Sequence, residues 1–236
     1  MNLKQLSLTL KIRLICDFFQ NMIVTAFLPF MALYLTDMVN QHFSGLFLFA
    51  LVMINFPISI ISGHIIERLP KKTLTLSYQL ILSLMLVIMS ITISEQVYMI
   101  ILFCIAYAIF SITIGMQQPI MDTIIMDAIT PEVEQYIYKI SYWMTNIAVA
   151  LGALIGGLMY GAHKSMLFLI AFAIYIMVFI ALFIWLPKDL NIVTQSQTHH
   201  TNEKQFSMGQ ILKSYKPVFK DTTYPVSYTH LRAHET

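Results

Sequence analysis

The segment Gly63–Lys72, GHIIERLPKK, separates two long apolar runs that carry almost no charge. The flanking runs, Ser44–Ile66 and Leu74–Ser94, each have about 20 mostly apolar residues, the length that a helix needs to cross a bilayer core. Four charged side chains are collected in the break between them: Glu67, Arg68, Lys71 and Lys72. This part of the sequence therefore predicts two transmembrane helices joined by a short charged loop.

The same pattern of apolar runs and short polar breaks extends through most of the chain. Four further runs cover approximately Arg13–Leu35, Val97–Met126, Tyr136–Tyr160 and Ser165–Leu186. Of the 236 residues, 58% are hydrophobic and only 11% are charged, whereas soluble domains carry about a quarter charged residues. We therefore predict an all-α membrane fold, with one six-helix transmembrane bundle over residues 1–188 that lies in a lipid bilayer.

The positions of Lys and Arg predict how the helices are oriented. Loops rich in these residues face the cytoplasm. One alternating set of loops and termini holds nearly all the cations of the helical region: Lys4, Lys11, Arg13, Arg68, Lys71, Lys72, Lys139 and Lys188. Lys164 is the exception on the opposite side. We expect a multi-pass protein of the plasma membrane with a cytoplasmic N-terminus.

The chain changes character after residue 188. Residues 189–224 are polar and are interpreted as a cytoplasmic linker. The adjacent His199 and His200 point in opposite directions on either regular structure and have no third ligand nearby, so no metal site is expected there. Residues 225–236, PVSYTHLRAHET, resemble sequencing-adapter DNA translated in frame and are interpreted as a non-native tail. A genuine short tail is the alternative.

Several classes of function are disfavoured by the residues present. The net charge of +2 is small and dispersed, so nucleic-acid binding is not expected. Cys16 and Cys104 lie inside apolar runs, with no CxxC pair and no Cys/His cluster. The sequence also has no GxxxxGK[ST] phosphate loop, no HExxH and no GxSxG turn. We therefore predict a protein that is not an enzyme, with no catalytic residue, metal or cofactor.

Polar residues inside a membrane are costly and mark candidate sites. The first helix carries Arg13, Asp17, Gln20 and Asn21, and the first two lie four residues apart on one face. In one interpretation Asp17 is a carboxylate that binds a proton or a cation. In the other, Arg13 reaches the lipid headgroups and pairs with Asp17 at the membrane surface. We favour the second, because Asp17 lies only about 6 Å of helix rise beyond Arg13.

The fourth helix carries a polar and small-residue stripe that repeats near the helical period: Tyr107, Ser111, Gly115, Gln118 and Asp122. Such a stripe can line a path for a substrate, and it can equally hold neighbouring helices together through hydrogen bonds and close contact. Both interpretations stay open. With Gln20 and Asn21 of the first helix and Asn146 of the fifth, these residues are our candidates for a cavity or for ion coupling.

The fifth helix carries small residues at regular spacing. Ala148, Gly152 and Gly156 recur every four residues, and Gly157 continues the small-residue edge. Residues four apart share one face of a helix, and small side chains let two helix backbones approach closely. We therefore predict a packing motif at these positions.

The loop and the fifth helix together resemble the major facilitator superfamily (MFS) of transporters, over approximately residues 10–188. The family's loop motif is G-x-L-[AS]-D-R-x-G-R-[RK]. Here the first glycine and the basic positions of the motif are matched. Glutamate replaces the aspartate, and Pro70 stands where the second glycine is usual. The matching positions are Gly63, Glu67, Arg68, Lys71 and Lys72.

The fifth helix is similar to the exporter motif of the same family, G-x-x-x-G-P-x-x-G-G. Ala148 takes the first glycine, Gly152 the second, and Gly156 with Gly157 the closing pair. LPFMALYL at residues 28–35 and DAITPE at residues 127–132 also resemble drug-efflux members. The arginine with which many such antiporters begin the fourth helix has no counterpart here.

The resemblance implies the N-terminal half of an MFS fold, which works with a second, C-terminal six-helix half by alternating access around a central cavity. It also implies that Glu67 and Arg68, with the other loop positions, form a conformational latch against that half, and that the small-residue edge of the fifth helix packs against it. The expected function is secondary active transport: proton-coupled efflux of drug-like or amphipathic small molecules. Uptake of a small metabolite, or an inactive half that acts only by association, are the alternatives.

Overall fold

The structure, a computed structural model, describes residues 6–93, 97–129, 133–161 and 164–187, apart from the side chains of residues 67, 68, 97 and 98. Six helices follow one another along these residues: α1 Leu8–Met38, α2 Gln41–Arg68, α3 Lys71–Thr92, α4 Val97–Ala128, α5 Glu134–Tyr160 and α6 Lys164–Trp185. Each is long and apolar enough to cross a membrane. The predicted all-α fold of six transmembrane helices is confirmed. The predicted linker, residues 189–224, and the predicted tail, residues 225–236, lie outside the described residues.

The short breaks in the sequence supply the residues that begin the helices. The side chain of Ser7 accepts a hydrogen bond from the backbone N–H of Leu10 at 3.4 Å, and that of Asn40 accepts one from Phe43 at 2.8 Å. These bonds satisfy donors that the first turn of a helix leaves free. Pro70 precedes α3, where its missing N–H costs no helical hydrogen bond.

The helices pack in an order that brings α1 to the centre. α1 lies along α5 and also contacts α2, α4 and α6, while α3 packs against α4 and α6. The ring of Phe27 on α1 lies 5.3 Å from that of Phe110 and 5.4 Å from that of Phe168, measured between centroids. These aromatic contacts join α1 to α4 and α6 and form the middle of the core.

The second and fifth helices lie at the periphery and expose large apolar side chains. Phe56 on α2 is 72% exposed, and Leu158 on α5 is 74% exposed. Lipid tails are as apolar as these side chains. Contact with lipid therefore avoids the unfavourable free energy of exposing them to water. The polar side chains at the end of the bundle where α1 begins are therefore unusual in an otherwise apolar protein.

Candidate functional site

Arg13 is held inside the protein at the end of the bundle where α1 begins. Its residue exposure is 1%, its guanidinium pairs with the Asp17 carboxylate at 2.8 Å, and its Nε donates to the backbone oxygen of Met121 on α4 at 3.4 Å. The interpretation in which Arg13 reaches the headgroups is therefore wrong: the side chain turns toward α4. The ion pair with Asp17, which belonged to that same interpretation, is present.

A second carboxylate lies beside this ion pair. Asp122 follows Met121 on α4 and interacts electrostatically with both Arg13 and Asp17. Its side chain also accepts a hydrogen bond from Gln118 at 3.4 Å, and both of these residues are exposed on the bundle surface. Arg13, Asp17 and Asp122, here called the inner charged cluster, thus place one guanidinium and two carboxyl groups at the end of the bundle where α1 begins.

A group of three glutamines from α1, α3 and α4 lies one turn further into the membrane. Gln79 is completely buried, and its Oε1 accepts hydrogen bonds from Nε2 of Gln20 and of Gln117, both at 2.8 Å. Its own Nε2 donates to the backbone oxygen of Tyr175 on α6 at 3.0 Å. This glutamine hub, Gln20, Gln79 and Gln117, therefore links four of the six helices.

The outer part of the polar stripe on α4 serves helix packing. Ser111 accepts a hydrogen bond from Nδ2 of Asn55 on α2 at 3.0 Å, and a Cβ added to Gly115 would lie 2.4 Å from Oδ1 of the same asparagine. Tyr107 is buried in the aromatic core. Gln118 and Asp122, at the C-terminal end of the stripe, are exposed on the surface of the bundle. The packing interpretation is therefore confirmed for Ser111 and Gly115, whereas lining of a path by Gln118 and Asp122 stays a prediction.

The other polar candidates bond within their own helices. Nδ2 of Asn21 donates to the backbone oxygen of Asp17 at 2.9 Å, and Nδ2 of Asn146 donates to that of Tyr142 at 2.7 Å. Asn21 is half-buried, whereas Asn146 is exposed. The structure therefore brings Gln20, but not Asn146, to the polar group between α1, α3 and α4.

The first turn of α3, directly after the loop from α2, is anchored by two lysines. Lys71 pairs with Asp127 near the end of α4. Nζ of Lys72 donates to the backbone oxygen of Phe183 at 2.9 Å and also to that of Leu186, at the end of α6. Cations suit this position because the last carbonyls of a helix carry partial negative charge. Gly63 faces open space, and the side chains of residues 67 and 68 lie outside the description.

The small-residue edge of α5 packs against α1. A Cβ added to Gly152 would lie 2.2 Å from the backbone oxygen of Met22, and one added to Gly156 would lie 2.0 Å from that of Ala26. Ala148 is completely buried, whereas Gly157 has open space beside it. The expectation that this edge packs against a second half is therefore wrong for Gly152 and Gly156, whose partner is α1 of the same bundle.

Lys164, the exception in the charge distribution, lies over aromatic rings at the opposite end of the bundle. Its Nζ is 4.6 Å from the ring centroid of Tyr160 and 5.6 Å from that of Tyr34. The negative face of an aromatic ring attracts a cation at such distances. The lone lysine of this side therefore has a local structural role.

An apolar cavity of about 570 Å³ opens between the end of α1, the start of α2 and the first half of α4. The side chains that line it include Met38, Phe43, Phe47 and Cys104. Its size falls in the range of sites that bind drug-sized molecules, which are also mostly apolar. The cavity lies in the other half of the bundle from the inner charged cluster.

Two of the three hub glutamines were missed from the sequence. Gln79 lies in the run LTLSYQLIL, where Thr75, Ser77 and Tyr78 are also polar, and Gln117 adjoins the stripe residue Gln118. A signal was present, because intramembrane polar residues are expected to face protein. Only the packing of the helices shows that these two side chains meet Gln20.

Six membrane-spanning helices, polar side chains buried between them and close packing through small residues together define a polytopic membrane protein. The family model "Major Facilitator Superfamily" matches residues 12–224. The chain therefore belongs to the major facilitator superfamily, and its six helices fit the N-terminal half of that fold. Membership of this family points to transport across a lipid bilayer rather than to catalysis.

A curated relative gives a more specific likeness. Over 169 residues the chain is 21% identical to the "Na(+), Li(+), K(+)/H(+) antiporter" of Planococcus maritimus. The matched part is 72% of this chain and 40% of the relative. The chain thus spans well under half the length of this relative.

Proposed function

We propose that the protein is a proton-coupled antiporter that exports monovalent cations from the cytoplasm by alternating access, working with a second six-helix half. The observation that carries the proposal is the inner charged cluster. Asp17 pairs with the buried Arg13 and Asp122 interacts electrostatically with both, so the fully ionised cluster would have one more negative than positive charge. A single proton or a single alkali cation would neutralise it. The name of the Planococcus relative supports this choice of ions.

The orientation of the helices belongs to the same proposal. Lys11, Lys71, Lys72 and Lys139 lie in or near the segments on the side of the inner charged cluster, and Lys164 lies on the other. By the positive-inside rule, the first side is cytoplasmic. In the plasma membrane the inner charged cluster would then be reached from the cytoplasm, where an exporter loads its substrate.

Everted membrane vesicles from cells without their own cation antiporters test the function. In vesicles with the full-length protein, NaCl, LiCl or KCl should release protons, measured by recovery of acridine-orange fluorescence, and choline chloride should not. Asp17→Asn should lower this exchange at least tenfold at equal protein abundance. Asp37→Asn, an exposed carboxylate on the other side, is the matched control and should leave it unchanged. Wild-type exchange in the Asp17→Asn variant would overturn the proposal.

A second candidate function is efflux of amphipathic small molecules. The apolar cavity of about 570 Å³ favours it, as do the motifs shared with drug-efflux members. In the same vesicles, proton release on adding ethidium, with none on adding the alkali salts, would select this function instead.

The latch role of the charged loop is a further part of the proposal. Lys71 and Lys72 anchor the loop to α4 and α6 within this half, so the bases have structural tasks of their own. Glu67 and Arg68 are then left as the pair proposed to contact the second half, where the carboxylate would favour the positive N-terminal end of a helix. Glu67→Gln in the full-length protein should reduce cation efflux several-fold, and unchanged efflux with normal insertion would rule the latch out.

A further inference from the structure

Thr75 presents a buried hydroxyl that has no partner. The residue is completely buried on α3, and its Oγ1 has no hydrogen-bond partner among the described residues. Threonine hydroxyls inside helices commonly bond a carbonyl of the preceding turn, as Thr113 does with Ile109 at 2.7 Å. A buried hydroxyl without a partner is unfavourable, so this position requires an explanation.

The unpaired hydroxyl lies next to the glutamine hub. Thr75 and Gln79 are four residues apart, so they share one face of α3, separated by about 6 Å along the helix axis. Gln20 and Asp17 are three residues apart on α1 and also share a face. Thr75 therefore lies on the face of α3 that carries the hub, as Asp17 lies on the face of α1 that carries Gln20.

The hydrogen bonds of the hub fix the direction of its amides. The backbone oxygen of Tyr175 can only accept, so the group of Gln79 that faces it must be the NH₂ group. Oε1 of Gln79 is then the acceptor for both neighbours, and Gln20 and Gln117 must each turn their NH₂ group toward it. Their two amide oxygens are left over, and neither accepts a hydrogen bond from the residues that the structure describes.

We propose that an alkali cation binds at the glutamine hub, coordinated by the amide oxygens of Gln20 and Gln117 and by the hydroxyl of Thr75. This inference rests on the proposed function and places its substrate. Hard cations prefer oxygen ligands, and amide and hydroxyl oxygens supply them here without adding further charge. The inner charged cluster provides the one excess negative charge that balances the ion. Na⁺ is the probe with which the site is tested.

Equilibrium binding to the purified full-length protein tests the site without requiring transport. Isothermal titration calorimetry with NaCl against a choline chloride background keeps the ionic strength constant and detects Na⁺ binding alone. Thr75→Val removes the hydroxyl and keeps the shape of the side chain. We expect this variant to bind Na⁺ at least tenfold more weakly, while its thermal stability in choline chloride is unchanged or higher.

Two further variants separate the cation site from a structural role. Thr113→Val removes a buried hydroxyl that is already paired within its own helix, so it should leave Na⁺ affinity unchanged. Thr75→Ser restores a hydroxyl at the proposed site and should return the affinity to within threefold of the wild type. If Thr75→Val fails to fold, the comparison of Thr75→Ser with the wild type still decides, because loss of binding in a folded serine variant would overturn the site.

The outcomes distinguish this inference from the proposed function. Wild-type Na⁺ affinity in folded Thr75→Val, or absence of Na⁺ binding to the wild-type chain, would overturn the site. Cation/proton exchange in vesicles that persists at the wild-type rate in Thr75→Val would place the transported ion elsewhere and leave the function standing. Na⁺ binding that depends on Thr75, without exchange in vesicles, would support the site and overturn the function.

Discussion

The two faces of α1 make contacts of opposite kinds. Toward α5, the backbone oxygens of Met22 and Ala26 lie against glycines, with no room for a single added carbon atom. Toward α3 and α4, α1 presents Arg13, Asp17 and Gln20, which make ion pairs and amide hydrogen bonds. At 100° per residue these two sets lie on opposite sides of the helix. α1 is thus fixed by close backbone packing on one side and held by polar side-chain contacts on the other.

This difference bears on how the bundle can move. Close backbone packing through small residues has few alternative arrangements, because a shift brings backbone atoms into collision. Side-chain amides can exchange partners by rotating. We therefore infer that α1 and α5 move together, and that any rearrangement during transport takes place on the polar side of α1.

The largest effect is expected where the glycine contact is broken. Gly156→Leu would place side-chain atoms on the backbone of Ala26 and beside the ring of Phe30, so we expect little folded protein. Gly157→Leu is the matched control: it adds the same side chain one position away, into open space, and should keep wild-type abundance. Membrane abundance and thermal stability by fluorescence-detected size-exclusion chromatography measure both.

Near-normal abundance of Gly156→Leu would show that α1 and α5 can separate at this point. It would also contradict the rigid packing of α1 against α5, since overpacking at a site that cannot relax costs about 1–3 kcal/mol or more.

A smaller effect is expected on the polar side. Gln79→Leu keeps a side chain of similar size but removes the acceptor of Gln20 and Gln117 and the donor to Tyr175. Buried polar groups left without partners cost about 1–3 kcal/mol, partly recovered here because Gln20 is only half-buried. We expect a folded protein with a lower unfolding temperature. A Gln79→Leu variant as stable as the wild type would show that the hub does not hold the four helices together.

Much of the fold follows from the sequence because the bilayer restricts the choices. With no water to satisfy backbone groups, an apolar run of the right length must be helical, and GHIIERLPKK marks where two such runs separate. The helix ends could be placed to within a few residues because Asn40, Pro70 and similar breakers stand between the runs.

The candidate site was only partly predictable. The i, i+4 spacing of Arg13 and Asp17 predicts their ion pair, because both lie on one helix. The burial of Arg13 does not follow from that spacing, since it depends on the position of Met121 on α4. The small-residue edge of α5 was likewise only partly predictable. Its close packing follows from the spacing of the small residues, but its partner, α1, depends on how the helices pack.

The excess charge of the inner cluster has a consequence for membrane voltage. In the proposed function, two carboxylates and one guanidinium leave one negative charge, which one proton on the cluster or one alkali cation at the adjacent hub would balance. A membrane potential does work only on net charge, about 2.3 kcal/mol per elementary charge for each 100 mV. One-for-one exchange at this cluster would therefore be electroneutral. The two ion gradients alone would then set its direction, and an imposed voltage would not change the ion gradients at which exchange comes to equilibrium.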